Sequence, residues 1–198
     1  MCKLIVTSMC TIDTPYEKEI ERLIKSMKKF DLEYHIERFK NTGNWTKNCK
    51  YNTECIKNTM VKFPRRNILY VDADAEFLEK PILFYRKDIA DIALHMIQYE
   101  KHIEHCTGTL FIKNNISNFY LMSKWDCLNR QREDLDDQQC LELVLKEVDY
   151  DKVLNLPKEY CYIPGNRIQK LMPTQNVIIK HYQASRKYKK LINDKRNI

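Results

Sequence analysis

Apolar residues change their spacing several times along the chain, and each change marks an element. Residues 3–8 hold the unbroken run Leu4-Ile5-Val6, which reads as a first buried strand and is too short for a leader peptide. Thr14-Pro15-Tyr16-Glu17 predicts a helix start, with Thr14 as the cap, Pro15 in the first helical position and Glu17 completing a capping box. Ile20, Leu23, Ile24, Met27 and Phe30 then recur at helical spacing and give that helix one apolar face. Residues 33–39 alternate as a second strand, and 41–45, with Gly43, form a loop. A less regular helix is expected over 48–63, ended by Pro64. Residues 68–71 (Ile-Leu-Tyr-Val) read as a fully buried strand. Further strands are expected at 92–97 and 109–112, helices at 117–128 and 137–148, and a last strand at 177–180 running into His181. Strands that alternate with helices predict a three-layer α/β domain, a mostly parallel sheet with helices on both faces.

Composition adds limits. A chain of 198 residues suits one domain with its own core, and three glycines with six prolines leave no long flexible linker. No stretch reaches the roughly 20 apolar residues that span a bilayer. The net charge of +7 suits an anionic partner. Much of it lies at the end of the chain, in Arg186, Lys187, Lys189, Lys190, Lys195 and Arg196. We therefore divide the chain into a domain over 1–185 and a basic tail over 186–198, a solvated end or a linker. The eight cysteines form no C-x-x-C pair and sit in apolar segments, so free thiols in a reducing, cytoplasmic setting are expected. His102, His105 and Cys106 have no second ligand cluster at zinc-site spacing.

The strand at 68–71 ends directly in Asp72-Ala73-Asp74. Ligands of open α/β sheets bind beyond the carboxyl ends of the strands. Residues two apart in extended chain point the same way, so both carboxylates can reach one site. Two hard oxygen ligands suit Mg²⁺ or Mn²⁺ on a diphosphate. The plain alternative is that the two aspartates open a turn. Phosphatases and nucleotidyltransferases also use acidic strand ends, but neither a nucleophile motif nor a Gly-rich phosphate loop is present.

The stretch Asn67-Ile68-Leu69-Tyr70-Val71-Asp72-Ala73-Asp74-Ala75-Glu76-Phe77 resembles the D-x-D segment of GT-A-fold glycosyltransferases, closest to the small nucleotide-diphospho-sugar transferases related to the glycogenin-like group. Pro81 fits the same pattern. So does the opening, a core strand carrying Thr7 followed by Thr11-Ile12-Asp13-Thr14-Pro15-Tyr16 and a helix. Gly43-Asn44-Trp45-Thr46-Lys47-Asn48 resembles the stretch before the donor-side helix, although Asn52 stands where many relatives carry Lys. Thr107-Gly108-Thr109-Leu110-Phe111-Ile112 resembles the small-residue strand that approaches the donor sugar, where glycine lets a ligand come close to backbone. Asp136-Asp137-Gln138 resembles the helix start whose Asp faces sugar and acceptor. Residues 179–187, from Ile179 through His181 to Arg186 and Lys187, resemble the C-terminal strand and loop, which lack the glycine often found there.

The resemblance spans nearly the whole chain. It implies a single GT-A, Rossmann-like domain that moves a sugar from a UDP-sugar to a glycan or other hydroxyl acceptor. It assigns Asp72, Asp74 and His181 to Mn²⁺ or Mg²⁺ and makes Asp137 the catalytic candidate. Thr7, Thr11, Tyr16, Trp45, Asn48, Asp72, Ala73, Gly108, Thr109, Asp136, Arg186 and Lys187 would bind the nucleotide sugar. Tyr16 and Trp45 are candidates to stack on a uracil ring, though each has an ordinary packing role open to it. Transfer would retain anomeric configuration; in an inverting enzyme Asp137 would be the general base. The rival class is a non-catalytic module that binds a nucleotide sugar, or RNA through its basic end. No aromatic-plus-Gly RNA-binding signature is present, and no specific nucleic-acid partner is expected.

Overall fold

The computed structural model describes residues 3–148, 152–171 and 176–194. Lys195 and Arg196, named above, and one of the eight cysteines, Cys2, lie outside them. The first apolar run forms β1 (Leu4–Thr11), longer than expected, and the spaced apolar stripe forms α1 (Tyr16–Lys29). The capping box at this helix does not form. The Thr14 hydroxyl donates back to the Thr11 carbonyl, and the Glu17 carboxylate reaches the Asp13 N–H instead. β2 (Tyr34–Phe39) follows. The helix expected over 48–63 is two: α2 (Trp45–Cys49), capped by the Asn44 side chain, and α3 (Tyr51–Lys62). β3 (Asn67–Val71) leads into a three-residue strand not foreseen, β4 (Ala75–Phe77). β5 (Ile92–Gln98) and β6 (Ile103–Ile112) form an antiparallel pair. Then come α4 (Ile116–Gln131), α5 (Asp137–Leu145), β7 (Val153–Asn155), α6 (Arg167–Lys170), β8 (Ile179–His181) and α7 (Ser185–Asn193).

The central sheet has six strands in the order β2-β1-β3-β6-β5-β7. β1 pairs parallel with β2 and β3, and β5 with β7; β6 alone runs against its neighbours. Side chains alternate across the sheet as the pleat requires. Leu4, Val6, Leu69, Val71, Ala93 and Phe111 face a core shared with Ile20, Leu23 and Met27 of α1. Ile5, Ile68, Tyr70, Leu94, Leu110 and Ile112 face a second core filled by α3, α4 and α5, with Trp125 fully buried in it. Each such large apolar side chain contributes about 1.5–3 kcal/mol by leaving water. The sheet is thus mostly parallel and covered by helices on both faces, as expected.

The last strand does not join this sheet. β8 pairs antiparallel with β4 in a separate two-stranded sheet, with Ala75 opposite His181 and Phe77 opposite Ile179. Neither three-residue strand carries enough periodicity to be recognised alone. Their pairing nevertheless folds the end of the chain back onto the end of β3. No helix of the described residues is long and apolar enough to cross a membrane. The seven described cysteines are free thiols.

Candidate active site

Asp72 and Asp74 follow β3 in a tight turn, closed by the Ala75 N–H donating to the Asp72 carbonyl at 3.0 Å. They converge because the chain turns, not because it is extended. The β4–β8 pairing sets His181 beside them, with its Nδ1 3.7 Å from Asp74 Oδ1. One ligand atom from each of Asp72, Asp74 and His181 lies within 4.8 Å of the others, the only such group among the described residues. Supports hold each ligand. Tyr70 donates its hydroxyl to Asp72 Oδ1 at 3.1 Å, and the Ala184 N–H donates to Asp74 Oδ2 at 2.7 Å. The Thr109 hydroxyl meets His181 Nε2 at 2.9 Å, which leaves Nδ1 facing the aspartates. Such partners on the far side of a ligating ring fix its orientation.

Gly108 keeps this space open. A β-carbon there would lie 3.1 Å from Asp72 Oδ2 and 3.2 Å from His181 Nδ1. The donor set fits a divalent cation: carboxylate oxygens suit Mg²⁺ and Mn²⁺, and an imidazole is a ligand of first-row metals. The electrostatics agree. Burial, with Asp74 close by, pushes the Asp72 carboxyl up to about 7. Burial also acts to raise Asp74, but His181 and the Ala184 N–H outweigh it and hold that carboxyl below the usual range. At His181 burial opposes the charged ring, yet neighbouring Cys161 and Asp74 carry it well above the usual imidazole range. Two carboxylates that repel each other beside an imidazole are groups that a cation would relieve.

A cavity of about 250 Å³ opens on one side of this trio. Tyr16 and Trp45 form a joined wall, Trp45 Nε1 donating to the Tyr16 hydroxyl at 3.0 Å. α7 packs behind that wall: Tyr188 meets Tyr16 edge-on, Lys189 lies 4.6 Å over the Trp45 ring, and Asn193 accepts from the Trp45 N–H. Part of the segment read as a basic tail is therefore a helix against the cavity wall. Thr11, Asn48, Ala73, Asp136 and Asp137 also line the cavity. Asn48 is engaged in holding the loop before α2, through Thr42 and Asn41.

Asp137 opens α5, and three contacts place it. Asp136 and Gln139 form a capping box, Trp125 Nε1 donates to the Asp137 carbonyl at 2.8 Å, and Asn52 Nδ2 donates to Asp137 Oδ2 at 2.7 Å. Burial, with Asp136 adjacent, raises the Asp137 carboxyl to about 6.

Four expected nucleotide-sugar residues lie elsewhere. Thr7 is 0% exposed, points into the α3 side of the sheet and spends its hydroxyl on Thr59 and the His35 carbonyl. Met9 and Thr11 share the face of Thr7 and do line the cavity, because they stand at the carboxyl end of β1 whereas Thr7 lies earlier in the strand. Thr109 stands behind His181 and orients it. Arg186 and Lys187 are exposed on α7 and do not line the cavity; Ser185, at the start of that helix, does. A second cavity of about 200 Å³ lies across the trio, bordered by Gly108, Glu104 and Gln183, and shares Asp72, Asp74, Thr107, Gln138 and Ser185 with the first. Sequence reasoning gave no role to Tyr70 or Ser185, and placed Gln138 in the matched helix start without assigning it one. Tyr70 reads as plain core, and only its place two residues before Asp72 hints at a hydroxyl beside the carboxylate.

No protein-family profile and no curated protein matches the sequence. Solved structures do resemble it. One is a glycosyltransferase involved in the glycosylation of the major capsid of PBCV-1, similar over 97% of this chain and 99% of that one, with a TM-score of 0.70 and 13% identity. A second is the glycosyltransferase GlyE of Streptococcus pneumoniae TIGR4, with a TM-score of 0.63 and 16% identity over 92% of this chain and 55% of that one. A third is the galactosyltransferase LgtC in complex with donor and acceptor sugar analogs, with a TM-score of 0.58 and 10% identity over 91% of this chain and 87% of that one. The chain therefore has the GT-A fold that these glycosyltransferases share.

Proposed function

We propose that the protein transfers a sugar from a uridine diphosphate sugar to a hydroxyl acceptor, with Mn²⁺ or Mg²⁺ held by Asp72, Asp74 and His181. One observation carries this reading: the two carboxylates and the imidazole meet where two cavities join. The larger cavity, with its Tyr16–Trp45 wall, suits a nucleoside. The smaller, polar one suits an acceptor. When bound, the cation neutralises the charge that grows on a departing diphosphate. The start of α7, at Ser185, adds the positive end of a helix dipole on the same side. Exposed Lys187, two residues after Ser185, supplies long-range attraction for the diphosphate.

Asp137 accepts from the donor sugar and supports positive charge at the reacting carbon. We read the transfer as retaining: the acceptor's proton passes to the leaving phosphate, and Asp137 orients the sugar. In an inverting reaction the same carboxylate would take the acceptor's proton, for which a value near 6 is suited. Similarity to glycosyltransferases, one of them solved with donor and acceptor sugar analogs, supports the reading.

Calorimetry of UDP with and without MnCl₂, followed by Mn²⁺-dependent turnover of UDP-sugars, tests it. Metal-dependent UDP binding and sugar release are expected. UDP binding without turnover on any sugar would leave a binding module, and RNA binding that needs no metal would favour the rival class.

A further inference from the structure

Asn52 is 2% exposed, lies on α3 and borders the larger cavity. Its Nδ2 donates to Asp137 Oδ2 at 2.7 Å, while its Oδ1 is buried with no partner. This orientation is dictated by chemistry, because an ionised carboxylate only accepts and the amide must turn its NH₂ toward it. The amide oxygen is left over, and a buried acceptor without a donor is costly. Asp137 also keeps accepting capacity, since its only other side-chain donor is Thr107 at 3.5 Å. Asn52 and Asp137 both border the cavity, so an unpartnered amide oxygen lies buried at its wall beside a carboxylate.

The rest of the lining has a consistent sign. Asp72, Asp74, Asp136 and Asp137 border this cavity, and no Lys or Arg does among the described residues. Lys50, whose charge acts on Asp137, gives its ammonium to the Arg132 carbonyl.

We propose that Asn52 is a specificity-determining residue for the donor: with Asp137 it accepts from two neighbouring hydroxyls of a neutral sugar, and the pair excludes sugars that carry a carboxylate. This inference rests on the donor reading above. A uronate at this wall meets an amide oxygen and a carboxylate, and no Lys or Arg lining the cavity offsets its charge. A site built of acceptors rewards hydroxyl donors and rejects ligands that cannot donate.

The test is calorimetry with Mn²⁺ on wild type, Asn52→Leu and Asn52→Lys, using UDP, UDP-glucose, UDP-galactose and UDP-glucuronate. Wild type should bind at least one of the two neutral sugar nucleotides about tenfold or more tighter than UDP-glucuronate. Asn52→Leu should lose roughly tenfold on that neutral sugar nucleotide while its UDP affinity stays within about twofold. Asn52→Lys, which sets a cation beside Asp137, should narrow or reverse the preference. Equal wild-type affinity for neutral and uronate donors overturns the proposal, and that measurement needs no variant to fold. Unchanged discrimination in Asn52→Leu overturns it as well. Should wild type fail to bind UDP at all, the donor reading itself falls and takes this inference with it.

Discussion

Asp74 and His181 face each other at 3.7 Å across a two-stranded sheet of only three residues per strand. Asp74 is 8% exposed and His181 4%. The short pairing brings residues 107 positions apart in sequence into ion-pair range. It also carries α7 to the mouth of the cavity, because Ala184 donates its N–H to the same aspartate.

Asp74→Ala therefore does two things. It removes a metal ligand and leaves the Ala184 N–H without its acceptor. Mn²⁺-dependent turnover should fall roughly a thousand-fold or more. Stability should drop by about 1–3 kcal/mol, with the sheet intact. Steady-state assays at excess Mn²⁺ and thermal melts read both. Near-wild-type turnover in this variant would remove Asp74 from the metal site.

Gly108→Ala isolates the need for space. The added methyl meets Asp72 Oδ2 and His181 Cε1, both at 3.1 Å, so the ligands must move apart by a few tenths of an ångström. Mn²⁺ affinity should weaken about tenfold or more, since metal sites tolerate little displacement of their ligands. Circular dichroism should stay unchanged. Unaltered Mn²⁺ affinity would show that the ion does not sit between these side chains.

Asp137 predicts opposite effects on activity and stability. Its carboxyl is raised from 3.8 to about 6, so the folded state holds the proton more tightly than the unfolded chain. Its contribution to stability is present below the unfolded value and is lost as pH rises through about 6. Activity needs the ionised form and should fall as pH drops below about 6. Asp137→Asn should lose most turnover yet gain on the order of 1–2 kcal/mol at neutral pH, where the charge no longer has to be buried. A pH–rate profile and melts at pH 5 and 8 check this. A variant less stable than wild type at pH 8 would contradict it.

Removing residues 186–198 tests whether the basic end acts as a tail or as part of the site. It strips away Tyr188, Lys189 and Asn193, which back Tyr16 and Trp45. UDP affinity should fall about tenfold or more while the six-stranded sheet persists. Full UDP affinity in the shortened chain would confine α7 to a dispensable role.

What the sequence settled by itself was local. Unbroken apolar runs in β1 and β3, a helical stripe on α1, and an acidic couplet after a buried strand all follow from spacing between near neighbours. They were enough to predict a helix-covered, mostly parallel sheet and to single out Asp72 and Asp74; it was the resemblance to GT-A glycosyltransferases that added His181 and Asp137 as candidates. What spacing could not decide was how distant segments meet. Thr7 and Thr11 share one face of one strand, but only the second, at its carboxyl end, reaches the cavity, while the first is spent in the α3 packing. The strands β4 and β8 are too short to show a period, and only their mutual hydrogen bonds create them. Asn52 shows in the sequence only as a departure from its relatives' Lys, and it is Asp137, from 85 positions away, that gives its amide a partner. Such convergence depends on strand order and antiparallel pairing across long loops, which tertiary packing alone selects.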